Sequence, residues 1–207
     1  MCVCVCVCEF VFGSHSLQLQ LNHTMKNKKA DLKNNNKSEV FLEQKRKKKW
    51  VDGNSGYDCF MLYPRSLFIT WGWREYWNWK CFKETSDENI EVVKLSSVCW
   101  LDVRGKFQIL DLSPGIVYEI VYVVKLTNGA SGWELPITLG LSLPDGTVKE
   151  RQVSLFEKPR GKWIELNVAN FQSQDGETRE VCFDLYEHGG HWKSGLIIKG
   201  AILRPKT

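Results

Sequence analysis

The sequence predicts an all-β fold, an antiparallel β-sandwich of jelly-roll type with a disordered N-terminal extension. Apolar residues recur with period two in most segments after residue 58, and Gly, Pro, Asn or Asp clusters separate these segments. No segment between them shows a helical period. A length of 207 residues suits one all-β domain with a tail better than two full domains.

The tail is predicted to cover residues 1–49, and the folded domain residues 50–207. From Met25 to Lys49 the chain is rich in Lys, Asn and Gln, so it cannot bury enough apolar surface to offset the entropy of ordering. Before it, four Cys alternate between Cys2 and Cys8, which we interpret as a low-complexity extension; soft-metal binding or acylation of these thiols is the alternative. Either Met1 or Met25 is the start.

A basic run precedes the domain and accounts for much of the net charge of +4. It consists of Lys45, Arg46, Lys47, Lys48 and Lys49. Such a run is typical of a nuclear-import address, of a site that contacts RNA or another polyanion, or of a solvated flank.

The strand predictions rest on alternation, which is clearest in residues 135–143, where every second residue is Leu or Ile. A turn signal at residues 144–146 then makes the next segment the returning arm of a hairpin. Residues 116–126 are apolar on both faces, so this strand is predicted to be central. The predicted strands are Cys59–Ile69, Ile90–Leu95, Val98–Val103, Lys106–Leu110, Ile116–Leu126, Leu135–Leu143, Thr147–Leu155, Trp163–Val168, Val181–Tyr186 and Leu196–Leu203.

The segment 71–79 contains four of the nine Trp residues and a Tyr. One interpretation is an aromatic strand that buries alternate rings. The other is a sugar-binding platform, since an aromatic face carries negative potential that attracts the C–H face of a pyranose ring. If Trp71 and Trp77 form that platform, at least one ring should be partly exposed, whereas Trp100 and Trp163 should be mostly buried.

A second segment, residues 180–193, runs from a strand into a Gly-rich turn with acidic and aromatic side chains. Carboxylates accept hydrogen bonds from adjacent sugar hydroxyls, so the turn is either a saccharide site or a solvated rim. A metal site on His188, His191 and Glu187 is not favoured, because no second ligand group matches. A continuous strand would hold Glu180 about 23 Å from Glu187 at about 3.3 Å per residue, too far for a glycosidase pair.

The chain carries no nucleophile elbow, phosphate-binding loop, dinucleotide fingerprint or zinc-hydrolase motif, which favours a non-enzymatic binding module without a cofactor. No apolar stretch reaches the roughly 18 residues of a membrane-spanning helix. The first residues do not fit a signal peptide and the cysteines do not fit a disulfide framework, so we expect a non-secreted protein with free thiols.

A set of motifs in one order resembles the phloem protein 2 lectins of plants, relatives of the tobacco lectin Nictaba, and especially their A-type members. The motifs are Trp50-Val51-Asp52, Cys59-Phe60-Met61-Leu62, Ile69-Thr70-Trp71-Gly72, Tyr76-Trp77-Asn78-Trp79, Val98-Cys99-Trp100-Leu101-Asp102, Leu112-Ser113-Pro114-Gly115, Lys158-Pro159-Arg160, Tyr186-Glu187 and His191-Trp192-Lys193. The resemblance covers about residues 41–206.

The resemblance implies a β-sandwich lectin that binds N-acetylglucosamine oligomers or N-glycan cores and is found in the cytoplasm and nucleus of phloem tissue. It implies a carbohydrate site at Trp71, Trp77, Glu180 and Glu187. Of the two acids, Glu187 is the stronger candidate because it lies at the turn. An RNA-binding or trafficking role through the basic run is the alternative function, and a homodimer is left open.

Overall fold

The computed structural model describes residues 39–85 and 88–206, which form thirteen strands. The strands are β1 Val40–Leu42, β2 Lys47–Val51, β3 Asp58–Leu62, β4 Phe68–Ile69, β5 Trp77–Thr85, β6 Glu88–Leu95, β7 Leu101–Gln108, β8 Val117–Ser131, β9 Ile137–Ser142, β10 Val148–Val153, β11 Trp163–Gln172, β12 Glu180–Glu187 and β13 Ser194–Pro205. Within the described residues the only helical elements are two short 3-10 turns, at Pro64–Ser66 and Ile109–Asp111.

The strands form two antiparallel sheets, which confirms the predicted sandwich. The larger sheet has eight strands, with β8 lying between β11 and β13, and β13 also pairing with β3 and β6. The smaller sheet has five strands in the order β10-β9-β12-β7-β4. Because β8 is paired on both sides, the prediction of a central strand at residues 116–126 is confirmed.

The core lies between the two sheets and is built from their alternate residues. Phe60 of the larger sheet packs on Phe107 of the smaller sheet with ring centroids 4.7 Å apart. Tyr122 on β8 is fully buried, and its hydroxyl lies 3.1 Å from the Val103 carbonyl oxygen and 3.3 Å from that of Phe183. Burial holds the pKa of Tyr122 well above its ordinary value, so this hydroxyl stays protonated and donates a hydrogen bond to the opposite sheet.

The predicted disorder is wrong for residues 39–49, which form β1 and β2 and pair with β3. The lysines that suggested disorder instead place their ammonium groups near aromatic rings and carboxylates. Lys48 Nζ lies 5.3 Å from the Trp50 ring, and Lys49 Nζ lies 2.9 Å from Asp58 Oδ2. Long lysine stems can cover apolar surface while the charge stays near water. The disorder of residues 1–38, like the thiols of Cys2–Cys8, lies outside the described residues and stays a prediction.

Three other strand boundaries differ from the predictions. The segment Cys59–Ile69 is divided between the two sheets, because Pro64 lacks the N–H that a continuous strand would need. Residues 101–108 form one strand rather than two, since Gly105 lets the Phe183 ring pack where a β-carbon would approach it to 2.1 Å. Strand β5 begins inside the aromatic segment, so the interpretation of that segment as a strand that buries alternate rings holds for Trp77 and, in part, for Trp79.

Candidate carbohydrate-binding site

Four exposed tryptophans lie in loops at one end of the sandwich: Trp71, Trp73, Trp100 and Trp192. We call these four residues the aromatic end. Backbone hydrogen bonds join the three loops that carry them: Ser96 N–H donates to the Tyr76 carbonyl at 2.8 Å, and Val98 and Lys193 exchange two bonds of 3.0 and 2.7 Å. The loops therefore support one another, and the tryptophans do not project from separate flexible segments.

Trp71, a predicted site residue, is 40% exposed and lies within a tight turn that the Gly72 N–H closes on the Ile69 carbonyl at 3.1 Å. Its φ of 52° lies in the left-handed region, which is uncommon for a residue with a bulky side chain. The Trp71 ring packs on Tyr76 with centroids 5.6 Å apart, so one side of it is supported. This ring is thus available to a ligand, as predicted for at least one of the two platform residues.

Trp77, the other predicted platform residue, is 0% exposed and belongs to the core. It is the first residue of β5, pairs with Leu95 and points between the sheets. The interpretation of Trp77 as a stacking ring is wrong, because a sealed indole presents no face to a sugar. Its Nε1 is buried without a hydrogen-bond acceptor among the described residues.

Trp100, which the sequence predicted to be mostly buried, belongs to a stack of three aromatic rings. Trp100 is 43% exposed, and its ring lies 4.0 Å from the His188 ring at an interplanar angle of 9°. His188 in turn lies 4.7 Å from the Tyr186 ring. The prediction that Trp100 is mostly buried is wrong. Trp163, which was also predicted to be mostly buried, is half-buried beside Lys125. We call Trp100, His188 and Tyr186 the ring stack.

A buried carboxylate fixes this stack. Asp102 Oδ2 lies 3.2 Å from His188 Nε2 and accepts a 2.7 Å hydrogen bond from Arg104 Nη2, while Oδ1 accepts one of 2.8 Å from Arg104 Nε. At the other side of the stack the Tyr186 hydroxyl donates to Glu150 Oε1 at 3.0 Å. These contacts hold the His188 and Tyr186 rings in place.

Acidic groups continue across the outer face of the smaller sheet. Asp184 on β12 and Glu150 on β10 flank Gly140 of β9, and Arg104 Nε lies 3.7 Å from Asp184 Oδ1. Burial raises the pKa of Asp184; the Arg104 charge opposes this, while the Asp102 charge adds to it. The face presents hydrogen-bond acceptors next to aromatic rings, which is the chemistry that sugar hydroxyls and C–H faces require.

Glu187 lies beside the ring stack, but its carboxylate is nearly buried and already bonded. It pairs with the ammonium group of the fully buried Lys193 and accepts a 2.8 Å hydrogen bond from the Gly189 N–H. Burial by itself would raise the pKa of Glu187. The bonds from Lys193 and Gly189, with the charges of Lys193 and His191, outweigh burial and hold this pKa below its usual value.

Glu180 lies at the other end of β12, which is unbroken between Glu180 and Glu187. Its carboxylate contacts Gln108 Nε2 at 3.3 Å and Lys106 Nζ at 3.7 Å. The structure therefore does not bring Glu180 and Glu187 together, and Glu180 lies at the end of β12 away from the aromatic end.

The remaining polar candidates differ in their contacts: the buried Nε2 of His191 has no hydrogen-bond partner among the described residues, whereas the basic run is paired with carboxylates. His191 Nε2 lies 3.5 Å from Glu187 Oε2, and residues 39–85 and 88–206 contain no cluster of three or more ligating side chains placed to hold a metal ion. In the basic run, Lys47 pairs with Glu43 at 2.7 Å and Lys48 with Glu39 at 3.3 Å. Contact of this run with RNA stays a prediction.

One signal in the sequence would have found Trp100. Along β7, Leu101 and Val103 face the core, whereas Asp102 and Arg104 lie on the opposite face, where His188 and Arg104 cover Asp102. Trp100 has the same parity as the two charged residues, so the alternation that predicts the strand also places this ring on the outside. His188 and Tyr186 carry no comparable signal, because their stacking depends on contacts across strands.

Comparison with known proteins identifies the family. A family model described as "Phloem protein 2" matches residues 57–205, about seven-tenths of the chain. The chain belongs to the phloem protein 2 family. The sequence resemblance is thereby confirmed, and the ring stack and the aromatic end both lie inside the matched phloem protein 2 region.

Among curated phloem protein 2 relatives, the chain is 47% identical over 175 residues to phloem protein 2-like A1 of Arabidopsis thaliana, covering 82% of this chain and 71% of the relative. It is 43% identical over 169 residues to a protein named "Lectin" from Luffa acutangula, covering 81% and 80%. A solved xylan-binding domain of Paenibacillus barcinonensis is 14% identical with a TM-score of 0.38, covering 69% of this chain and 87% of that domain. Similarity at this level says nothing about the ligand.

No helix in the described part of the chain has the length and apolarity of a membrane span.

Proposed function

We propose that this protein is a non-enzymatic lectin that binds carbohydrate at the aromatic end and the ring stack. The observation that carries the proposal is the exposed Trp100 ring, held parallel to His188 beside a buried carboxylate at the same end as Trp71. Two relatives that bear the name "Lectin", from Luffa acutangula and Coccinia grandis, support it.

The geometry suits a sugar for two physical reasons. A ring held on one face by a fixed neighbour, as Trp100 is by His188, loses little conformational entropy when a ligand stacks on it, so more of the contact energy appears as affinity. The carboxylates of Asp184 and Glu150 lie on the adjacent face and accept hydrogen bonds from hydroxyls. Aromatic rings alone would bind many apolar ligands; rings next to oriented acceptors favour a polyhydroxylated one.

The ligand class proposed is N-acetylglucosamine oligomers or N-glycan cores, as the family resemblance implies. The same resemblance supports a proposal that the protein acts in the cytoplasm and nucleus of phloem tissue. Imaging of a fluorescent fusion tests the location, and a signal confined to the secretory pathway would contradict it.

A glycan array probed with the full chain tests the function. We expect binding to N-acetylglucosamine-containing or mannose-rich glycans, and we expect the Trp100→Ala variant to lose it while keeping its unfolding midpoint. Leu110→Ala provides a matched control, since Leu110 is also exposed but follows β7 at the end opposite Trp100. No binding to any glycan, or equal loss in both variants, would contradict the proposal.

A further inference from the structure

A groove lies at β5, the edge strand of the larger sheet, next to the aromatic end and is not part of the site described above. It consists of two concavities of about 440 and 470 Å³ that share Asn78. Both volumes fall in the range of about 300–1,000 Å³ that is usual for ligand sites. The first is lined by Arg65, Arg74 and Glu91, and the second by Lys94 among others.

Arg65 forms a rigid wall of this groove. Its guanidinium lies 3.6 Å from the centroid of the Trp79 ring, and its Nε and Nη2 donate to the two oxygens of Glu91 at 2.6 and 2.8 Å. A guanidinium that is both stacked and paired with a carboxylate is fixed in position. Arg65 and Glu91 also neutralise each other, so the charge available to a ligand comes from other residues.

The groove has hydrogen-bond donors in excess. No described residue hydrogen-bonds with the side chains of Arg74, Asn78 or Lys94, which line the groove. Two cationic groups without carboxylate partners in one groove favour an anionic ligand.

The second concavity adds groups that suit a sugar. Ser96 and Thr127 contribute hydroxyls, and Gly195 keeps the floor open, because a β-carbon at its φ of 78° would lie 2.6 Å from Thr127 Oγ1. A single-stranded nucleic acid would instead require an exposed aromatic face for base stacking. The groove offers none among the described residues, since Trp77 is sealed and Arg65 covers Trp79.

We propose that this groove binds an acidic oligosaccharide, with the uronate carboxylates on Arg74 and Lys94 and the sugar hydroxyls on Asn78 and Thr127. The inference rests on the proposed function only in that the ligand is a carbohydrate. It adds a second ligand class and a second site, which are separable from the ring stack by mutation.

Calorimetric titration of the full chain with a galacturonate hexamer tests the proposal, with the methyl ester of the same hexamer as the uncharged reference. We expect the acid to bind at least tenfold more tightly than the ester in about 0.15 M salt, where weak surface attraction is screened. Arg74→Gln and Lys94→Gln should each weaken binding about fivefold or more. Arg151→Gln, which removes an exposed arginine from β10 of the other sheet, should leave the affinity unchanged.

Four results would overturn the inference: equal affinity for acid and ester, equal losses in Arg74→Gln and Arg151→Gln, a uridylate hexamer that binds as tightly as the uronate, or loss of uronate binding in Trp100→Ala. The last result would mean a single site. If instead every neutral glycan fails on the array while uronate binding persists and depends on Arg74, the ring-stack proposal fails and the groove stands.

Discussion

Trp77 begins a strand and Trp100 lies in the loop just before one, and their surroundings are opposite. Trp77 begins a strand of the larger sheet and is sealed between the sheets, whereas Trp100 precedes a strand of the smaller sheet and keeps 43% of its surface in water. Both belong to motifs shared with a lectin family, yet the sequence motif that includes Trp77 is the one expected to carry the sugar site. The contrast shows that a family motif can contain residues that shape the fold as well as residues that touch ligand.

Replacing Trp77 with Ala gives the largest expected effect. Removing a large ring from the core should lower the free energy of unfolding by about 3–5 kcal/mol, because transfer energy is lost and a cavity remains. Urea unfolding followed by Trp fluorescence measures it. A stable Trp77→Ala variant that loses glycan binding would reverse the comparison and return this residue to the ligand site.

Replacing Lys193 with Met tests whether the loop beneath the ring stack depends on a buried ion pair. The change leaves the Glu187 carboxylate without its partner and should cost about 3 kcal/mol at neutral pH. The double variant Glu187→Gln, Lys193→Met should lose less than the sum of the two single changes. Additive losses would show that the pair contributes little to holding the loop.

The same pair predicts a pH dependence. The pKa of Glu187 is lower in the folded protein than its unfolded value of about 4.3, so the stability it contributes is present above that value and is lost as the pH falls through the folded pKa. We therefore expect Glu187→Gln to flatten the fall in unfolding free energy below about pH 4. Identical slopes for the two proteins between pH 3 and 5 would contradict this.

Deleting residues 1–49 tests the larger sheet, to which both β2 and the strand that begins at Trp77 belong. Because the deletion removes β1 and the first three of the five β2 residues that pair with β3, it should lower the melting temperature by about 4–8 °C, roughly 2 kcal/mol for a domain of this size. Deletion of residues 1–38 is the matched reference, since it retains β1 and β2. Equal melting temperatures for the two truncated proteins would mean that β1 and β2 add nothing to stability.

Replacing Trp100 with Ala should have the smallest effect on folding and a clear effect on binding. We expect a change below about 1 kcal/mol in unfolding free energy and at least a tenfold loss of glycan affinity, about 1.4 kcal/mol. Titration with the best array ligand measures the second quantity. A large loss of stability with unchanged affinity of the folded fraction would make both tryptophans structural.

The sequence predicted the sandwich well, because alternation of apolar residues is a local property that both sheets share. It failed at β2, where lysines suggested disorder although Glu39, Glu43 and Asp58 neutralise three of them. It also failed to separate Trp71 from Trp77, since the same parity fits an inward strand and an exposed turn. The left-handed conformation of Trp71 and the start of β5 at Trp77 distinguish the two residues. The alternation of apolar residues predicts neither feature.

The Tyr122 hydroxyl of the larger sheet binds the backbone of the smaller sheet and so fixes the strands next to the ring stack. Its two acceptors, the carbonyls of Val103 and Phe183, belong to β7 and β12, the adjacent strands that begin after Trp100 and end before His188. Sliding of the smaller sheet would break this bond in a buried environment, where an unmet polar group is costly. The ring stack is therefore preorganised, and a ligand should meet the same surface in the free protein as in the complex.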